Sequence, residues 1–368
     1  MFQNYIKIAW RNLSRNKGFT FINILGLSIG VAACILISVY ILHESTYDSH
    51  VPNSSNVYRL NNYFSIEGRI EHGIHFSAIM APTLKTDFPE VENSGRLMDN
   101  GLFYGAGSNE IQFGEDPMQF HEEGFSYADQ SMLDIMGVEM VYGDAATALA
   151  KPKTIVISEK ISRKFFQNEN PIGKIMFLNG DKEDPFTISG VMENFASNSH
   201  LDYDFLITLT DVEFGEGEQT RWIQSNYYTY VVLKDGTDSK VFGDKMASHV
   251  IRKYLKPALK EGGFAMWETI EDSTGISLQP LTDINLHSGM ISFEASSRND
   301  IKIIWIFGIV AIFILVIASI NFVNLSTAKS INRAKEVGMR KVIGAIRGHL
   351  IGQFLMESVI ITLFAFLI

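Results

Sequence analysis

The sequence predicts an α-helical membrane protein with a large α+β extracytoplasmic domain inserted between transmembrane helices 1 and 2. Three observations predict it. Phe21 to Leu42 is a run of 22 residues without a charge, about 33 Å as a helix, which is enough to cross the hydrocarbon core. Two more apolar runs of span length, Ile303 to Ile320 and Leu350 to Ile368, stand near the end of the chain, the last broken only by Gln353 and Glu357 as strongly polar side chains. Charge is divided accordingly. Residues 1–43 hold four bases and no acid and residues 301–368 hold seven bases and two acids, which leaves 20 bases against 39 acids, a balance of −19, in residues 44–300. Basic ends inside and an acidic middle outside satisfy the positive-inside rule. The same balance excludes a nucleic-acid partner, which needs a basic footprint.

The elements follow in order. Residues 1–18 read as a cytoplasmic amphipathic helix: Phe2, Tyr5, Ile6, Ala9, Trp10 and Leu13 recur at helical spacing while Lys7, Arg11 and Arg15 fall on another face. Residues 19–43 form the first span. Val31-Ala-Ala-Cys34 has the look of a lipoprotein cleavage box, yet the apolar run continues eight residues past Cys34, so this is an uncleaved anchor in contact with membrane lipid. Within it Gly26 and Gly30, with Ser28 between them, form a GxxxG pattern that lets helices approach closely in lipid.

Residues 44–300 contain no cysteine and therefore no disulfide, but they are numerous enough to bury a core without one. Val57 to Ile66 and Ile111 to Phe120 read as strands, with a helix between Ala78 and Phe88 and another carrying Met132, Leu133 and Met136. Thr154 to Ser158 reads as a strand leading into a helix capped by Ser158. After Pro171–Lys174 a strand restarts, Asn179-Gly-Asp181 turns it, and Phe186 to Val191 returns as its partner. Phe205 to Leu209 and Tyr227 to Leu233 are further strands. Between Ser239 and Leu259 a helix presents Phe242, Met246, Val250 and Tyr254, flanked by Val241, Ala247, Ile251 and Leu255, as one apolar stripe that should cover a sheet.

Residues 301–326 form the second span, 327–348 a cytoplasmic segment and 349–368 the third span, within which the chain stops. From Lys329 to Arg347 there are six bases against one acid, Glu336. The Glu336/Arg340 spacing supports a short exposed helix, and Gly344 is placed to end it. Glu357 is an ionisable group within a span, with Gln353 one turn earlier on the same face. It reads as a polar contact between helices rather than an ion path.

Ile320-Asn-Phe-Val-Asn-Leu-Ser-Thr-Ala-Lys-Ser330, then Arg333-Ala-Lys-Glu-Val-Gly-Met-Arg-Lys341 and Gly344, resembles the FtsX-like permeases of ABC transporters, the group that includes the MacB-type exporters. Asn23 to Gly30, Glu44-Ser-Thr-Tyr-Asp48, Val57-Tyr-Arg-Leu60, Ile157 to Phe166, Asn168 to Lys174 and Asn198-Ser-His-Leu-Asp202 are similar to the same group, although Ser49-His-Val-Pro52 departs from it. The resemblance implies two lobes in the middle domain, one inserted at about 110–195. It also implies ATPase contact by Arg333, Lys335, Glu336, Gly338, Met339, Arg340, Lys341 and Gly344, and helix packing by Gly26, Ser28, Gly30, Asn321, Asn324, Gln353 and Glu357. The partners it implies are an ABC ATP-binding subunit, a permease dimer or duplicated second half, and a periplasmic adaptor, in a bacterial inner membrane. A further span would follow the third.

No catalytic motif is found. There is no phosphate-binding loop, so ATP and Mg belong to the partner and this chain binds no cofactor. His72 and His75 lack a third ligand, which argues against a metal, and His200 reads as a hydrogen-bonded turn residue. The alternative function is a membrane-anchored extracytoplasmic sensor or binding protein without transport.

Overall fold

The computed structural model describes residues 2–15, 17–66, 69–167, 169–289, 291, 299–343 and 347–368. The chain begins with α1 (Phe2–Arg15) and α2 (Lys17–Ser45). The middle domain then runs through β1 (Val57–Ile66), β2 (Arg69–Gly73), β3 (His75–Phe76), α3 (Met80–Asp87) and β4 (Val91–Met98). Next come β5 (Gly107–Phe113), β6 (Phe120–Ala128), α4 (Gln130–Ile135), β7 (Met140–Tyr142), β8 (Thr154–Ser158), α5 (Glu159–Phe166), β9 (Ile175–Leu178), β10 (Phe186–Met192) and β11 (Phe205–Thr208). It closes with β12 (Tyr227–Leu233), α6 (Ser239–Val250), α7 (Lys256–Glu261), α8 (Ile270–Ser273), β13 (Thr274–Pro280) and α9 (Ile284–His287), before α10 (Ile301–Val342) and α11 (Arg347–Leu367).

Two compact units result, one of Met1–Ser45 with Ile301–Ile368 and one of Thr46–Asp300. In the first, α2 packs on α10 and α11, and α1 packs on α11, where Trp10 and Phe364 approach with ring centroids 5.8 Å apart. Lys17–Ser45, Ile301–Ala328 and Arg347–Leu367 are each long and apolar enough to cross a membrane. Their outer faces carry exposed Phe21, Leu36, Ile312 and Ile317, as surfaces in contact with lipid do. The apolar part of α10 long enough to span is Ile301–Ala328, but the short exposed helix read after it is not separate, because α10 continues unbroken through Arg333 and Arg340 to Val342. No proline interrupts that stretch, and Gly338 alone does not stop a helix.

In the second unit all the described strands join in one sheet, and six of them close on themselves. β6 pairs with β5, β5 with β9, β9 with β10, β10 with β8, β8 with β11, and β11 again with β6. Side chains alternate across this ring as strands require. Ile155, Ile157, Phe205 and Ile207 join one apolar core with Phe125, Phe186 and Ile188, whereas the intervening Val156 and Leu206 join another. Phe125 and Phe205, directly paired across β6 and β11, stack with centroids 3.9 Å apart.

The ring spans Gly107 to Thr208. Ile111 to Phe120, read as one strand, is two strand ends, since Gly114, with φ +55°, begins a turn between β5 and β6. The remaining strands carry a third core beneath α3 and α6, where Leu60, Phe88, Phe242, Met246 and Val250 are buried. Val241 is 66% exposed, so the stripe on that helix is narrower than its sequence suggests.

Candidate functional site

The chain leaves α2 at Ser45, and three residues later it is held from all sides. Asp48 is fully buried in the left-handed conformation (φ +55°) that aspartate tolerates better than most residues. Its N–H donates to the Asn198 carbonyl at 2.8 Å, and the Asn198 side-chain amide donates to the Thr46 carbonyl at 2.9 Å. The Asp48 carboxylate accepts from the His200 N–H at 2.9 Å and the Ser199 hydroxyl at 3.2 Å, and lies 2.9 Å from His200 Nδ1. On the other side of the ring, His200 Nε2 shares a hydrogen bond with the Tyr230 hydroxyl at 2.8 Å. Burial raises the Asp48 carboxyl, but attraction to His200 and the hydrogen bonds from His200 and Ser199 outweigh it and hold the group below its usual value.

A second clamp holds Ser288, the residue after α9. Arg59 on β1 is only 1% exposed, and its Nη2 donates to Gln279 Oε1 at 2.8 Å and to the Ser288 hydroxyl at 3.2 Å. Gln279 Nε2 donates to the same hydroxyl at 3.0 Å, which in turn donates to the Ile284 carbonyl at 2.6 Å. The clamps share a row of the sheet. Arg59 lies directly opposite Tyr230 on one side and Gln279 on the other, so side chains from three neighbouring strands stand on one face. Both ends of the domain are thereby tied to a single cross-strand row.

Within the helical unit, a Cβ on Gly30 would fall 2.7 Å from the Ala318 Cβ, and one on Gly26 would fall 3.2 Å from Asn321 Nδ2. The GxxxG face of α2 therefore meets α10. Ser28 is buried and donates to the Ile24 carbonyl at 2.7 Å, and Cys34 lies 3.2 Å from the Ala311 carbonyl. Gln353 and Glu357 are buried along α11 on the stripe that continues to Ile361 and Ala365, and Ala365 packs with Leu27 and Ala318. Asn324 is exposed on α10. Gly338, Met339 and Lys341 are exposed on the last turns of α10. Arg333, Lys335, Glu336 and Arg340 lie on the same helix with side chains outside the described residues, as is the whole of Gly344.

Among the described residues no cluster of His, Cys, Asp or Glu could hold a metal. His72 lies on β2, and His75 stands beside Tyr228 with centroids 4.9 Å apart. His200 is hydrogen-bonded at a bend, as its motif suggested, and its partners are Asp48 and Tyr230. Sequence reasoning missed the pairing of Asp48 with His200 and the whole Arg59–Gln279–Ser288 set. The available signal was that Asp48, Arg59 and His200 each sit inside a motif already singled out.

Residues 20–248 match the family model of the MacB-like periplasmic core domain, and residues 308–368 match that of the FtsX-like permease C-terminal. The uncharacterized ABC transporter permease YknZ of Bacillus subtilis (strain 168) is 24% identical over 217 residues, 58% of this chain and 46% of its own length. A macrolide export ATP-binding/permease protein MacB of Chlorobium luteolum is 23% identical over 368 residues, 98% of this chain and 50% of its own. The chain spans about half the length of the curated relatives it matches. A solved permease-protein domain from Porphyromonas gingivalis shares the fold, with a TM-score of 0.50 and 22% identity over 62% of this chain and 92% of that one. The match to the core domain alone covers more than half of the residues, and the chain belongs to the MacB/FtsX-like ABC transporter permeases.

Proposed function

We propose that this chain is the non-catalytic permease subunit of an ABC system, coupling ATP hydrolysis on a separate ATP-binding subunit to a change of shape in the extracytoplasmic domain. The single observation that carries the reading is the continuity of α10. Forty-two residues without a break extend about 63 Å, roughly twice the thickness of a hydrocarbon core. A push on its basic end is delivered along a stiff rod to Ile301.

On this reading Arg333, Lys335, Glu336, Gly338, Met339, Arg340, Lys341 and Gly344 meet the ATPase in the cytosol of a bacterial cell, and the ATP and Mg are the partner's. Gly26, Ser28, Gly30, Asn321, Gln353 and Glu357 keep the spans moving together, whereas Asn324 is exposed and free to meet another subunit. The Arg59 clamp ties Ser288 to the sheet, and the Asp48 clamp does the same for the segment after α2, so neither end of the domain slides independently. The work done is a coupling free energy between a nucleotide site on one chain and a cargo or adaptor site on another face. The cargo belongs to the classes such systems carry, a drug, a peptide or a lipoprotein.

The test is co-reconstitution with the ATP-binding subunit in nanodiscs. Glu336→Ala with Arg340→Ala should leave the complex assembled but abolish the stimulation of ATP hydrolysis by this chain. Stimulation equal to that of the unaltered chain rejects the proposed contact.

A further inference from the structure

We propose that an open recess on the strand ring binds an amphipathic carboxylic acid, a small molecule with an apolar chain and one anionic head. The recess measures about 770 Å³ and lies where β5 and β6 meet the end of α5 and the start of β9. Its floor is aromatic. Phe113 lies 5.1 Å from Phe165 and 4.8 Å from Phe166, and Phe120 lies 5.0 Å from Phe165, centroid to centroid.

Phe166 is buried, but Phe113, Phe120 and Phe165 are only half-buried, and Met118 above them is 58% exposed. Phe166 belongs to the core of the ring, and Phe113, Phe120 and Phe165 pack against that core while leaving part of their surface open. Clustered apolar surface left open on an otherwise acidic domain marks a place where something apolar sits.

Charge selects the occupant. Lys164 Nζ lies 5.2 Å from the Phe165 ring centre and Lys174 Nζ 4.6 Å from that of Phe166, so both cations stand against the aromatic wall. Lys174 is paired with Glu169, whose side chain is 76% exposed, and such an exposed pair contributes little and exchanges readily. Lys164 is paired with the more buried Glu122 but is itself half exposed, which leaves its other ammonium protons open to a ligand. The one carboxylate that lines the recess, Asp116, is occupied within its own turn, accepting from the Met118 N–H at 3.0 Å. The lining thus carries two cations against one engaged acid, in a domain whose balance is −19. An anion is repelled by most of this surface and met by ammonium donors here. The apolar tail follows onto the phenyl floor.

This site does not rest on the coupling reading, and binding should persist in the Glu336→Ala, Arg340→Ala chain. The test uses the full chain in nanodiscs with a diazirine-bearing decanoic acid and, as a comparison, the alcohol of the same length, mapping the labelled peptides by mass spectrometry. The acid should label segments 113–120 and 164–175 above the rest of the outer domain. Replacing both exposed lysines, Lys164→Gln with Lys174→Gln, should lower that labelling about tenfold, the loss expected for two surface charge contacts. Equal labelling of the recess by acid and alcohol, labelling spread evenly over the domain, or an unchanged double variant would each overturn the proposal. A recess reserved for a protein partner would show no labelling above background, which overturns it equally.

Discussion

The two units of this molecule solve the packing problem in opposite ways. In the helical unit α2 and α10 meet where side chains are missing or minimal, at Gly26, Gly30 and Ala318, while large apolar side chains point outward. Lipid offers no hydrophobic reason for helices to associate, so contact depends on close approach. In the middle domain, apolar side chains fill three cores, and the unusual feature is buried charge: Asp48 and Arg59, with His200 beside Asp48, are each at most 5% exposed. Burying ions costs desolvation that good geometry only offsets, so these groups fix a position more than they add net stability. Asp48 stands three residues after α2, and Ser288, the partner of Arg59, directly follows α9.

The largest effect should come from breaking the first clamp. Asp48→Ala leaves His200 and the Ser199 hydroxyl facing an empty position, and loss of one partner from a buried pair costs about 3–5 kcal/mol. Urea unfolding of the full chain, followed by the fluorescence of Trp222 and Trp267 in the middle domain, reads that loss. A cost under about 1 kcal/mol, the level of an exposed pair, would show that the clamp is decorative. The pH dependence has a definite sign. Because the folded carboxyl is held below its unfolded value, its contribution is fully present above about pH 4 and disappears as pH falls through the folded value. Asp48→Asn retains an acceptor oxygen but no charge, so its stability should vary less between pH 5 and 3 than that of the unaltered chain.

A smaller effect sharpens the other side of the comparison. The Cβ of Gly30→Ala would stand 2.7 Å from that of Ala318, an overlap that must be relieved by separating α2 from α10. Overpacking of this kind costs about 1–3 kcal/mol. Gly308 on α10 has no neighbour within 4 Å of its Cβ position, so Gly308→Ala should instead gain the helix propensity of alanine, roughly 0.5–1 kcal/mol. Opposite signs in unfolding by detergent titration are expected. Equal shifts would remove the GxxxG face from the α2–α10 contact.

How much of this was legible in the sequence depended on whether the deciding contact is local. The spans, the cap at Ser158 and the turn at Asn179-Gly180, both with positive φ, are set by neighbours in sequence and were readable. β4 was not. Its central Asn93, Ser94, Gly95 and Arg96 have no strand propensity, and the strand is held by pairing with β12 and by the bidentate contact of Arg96 with Asp129. β13 hides for a related reason, since Gly275 leaves room for the Tyr63 ring rather than contributing a side chain. Closure of the ring depends on β6 pairing with β11, and the first clamp on Asp48 meeting His200. Neither partner announces the other, because no spacing rule links residues so far apart.

The smallest effect tests whether ordinary and clamping polar contacts in the middle domain differ in kind. Ser158 caps α5, accepting from the Ile161 N–H at 3.2 Å and donating to Asp204 at 2.6 Å, and Asp204 keeps Lys160 as a second partner at 2.6 Å. Removing it leaves no buried charge alone, so Ser158→Ala should cost about 1 kcal/mol, the usual value of a cap. Ser158→Gly loses the same hydroxyl but takes the cap conformation easily, and should cost only a few tenths of a kcal/mol. If both variants instead cost as much as Asp48→Ala in the same urea experiment, the bond to Asp204 is itself a clamp. The distinction between the clamps and the rest of the domain would then have to be redrawn around the ring.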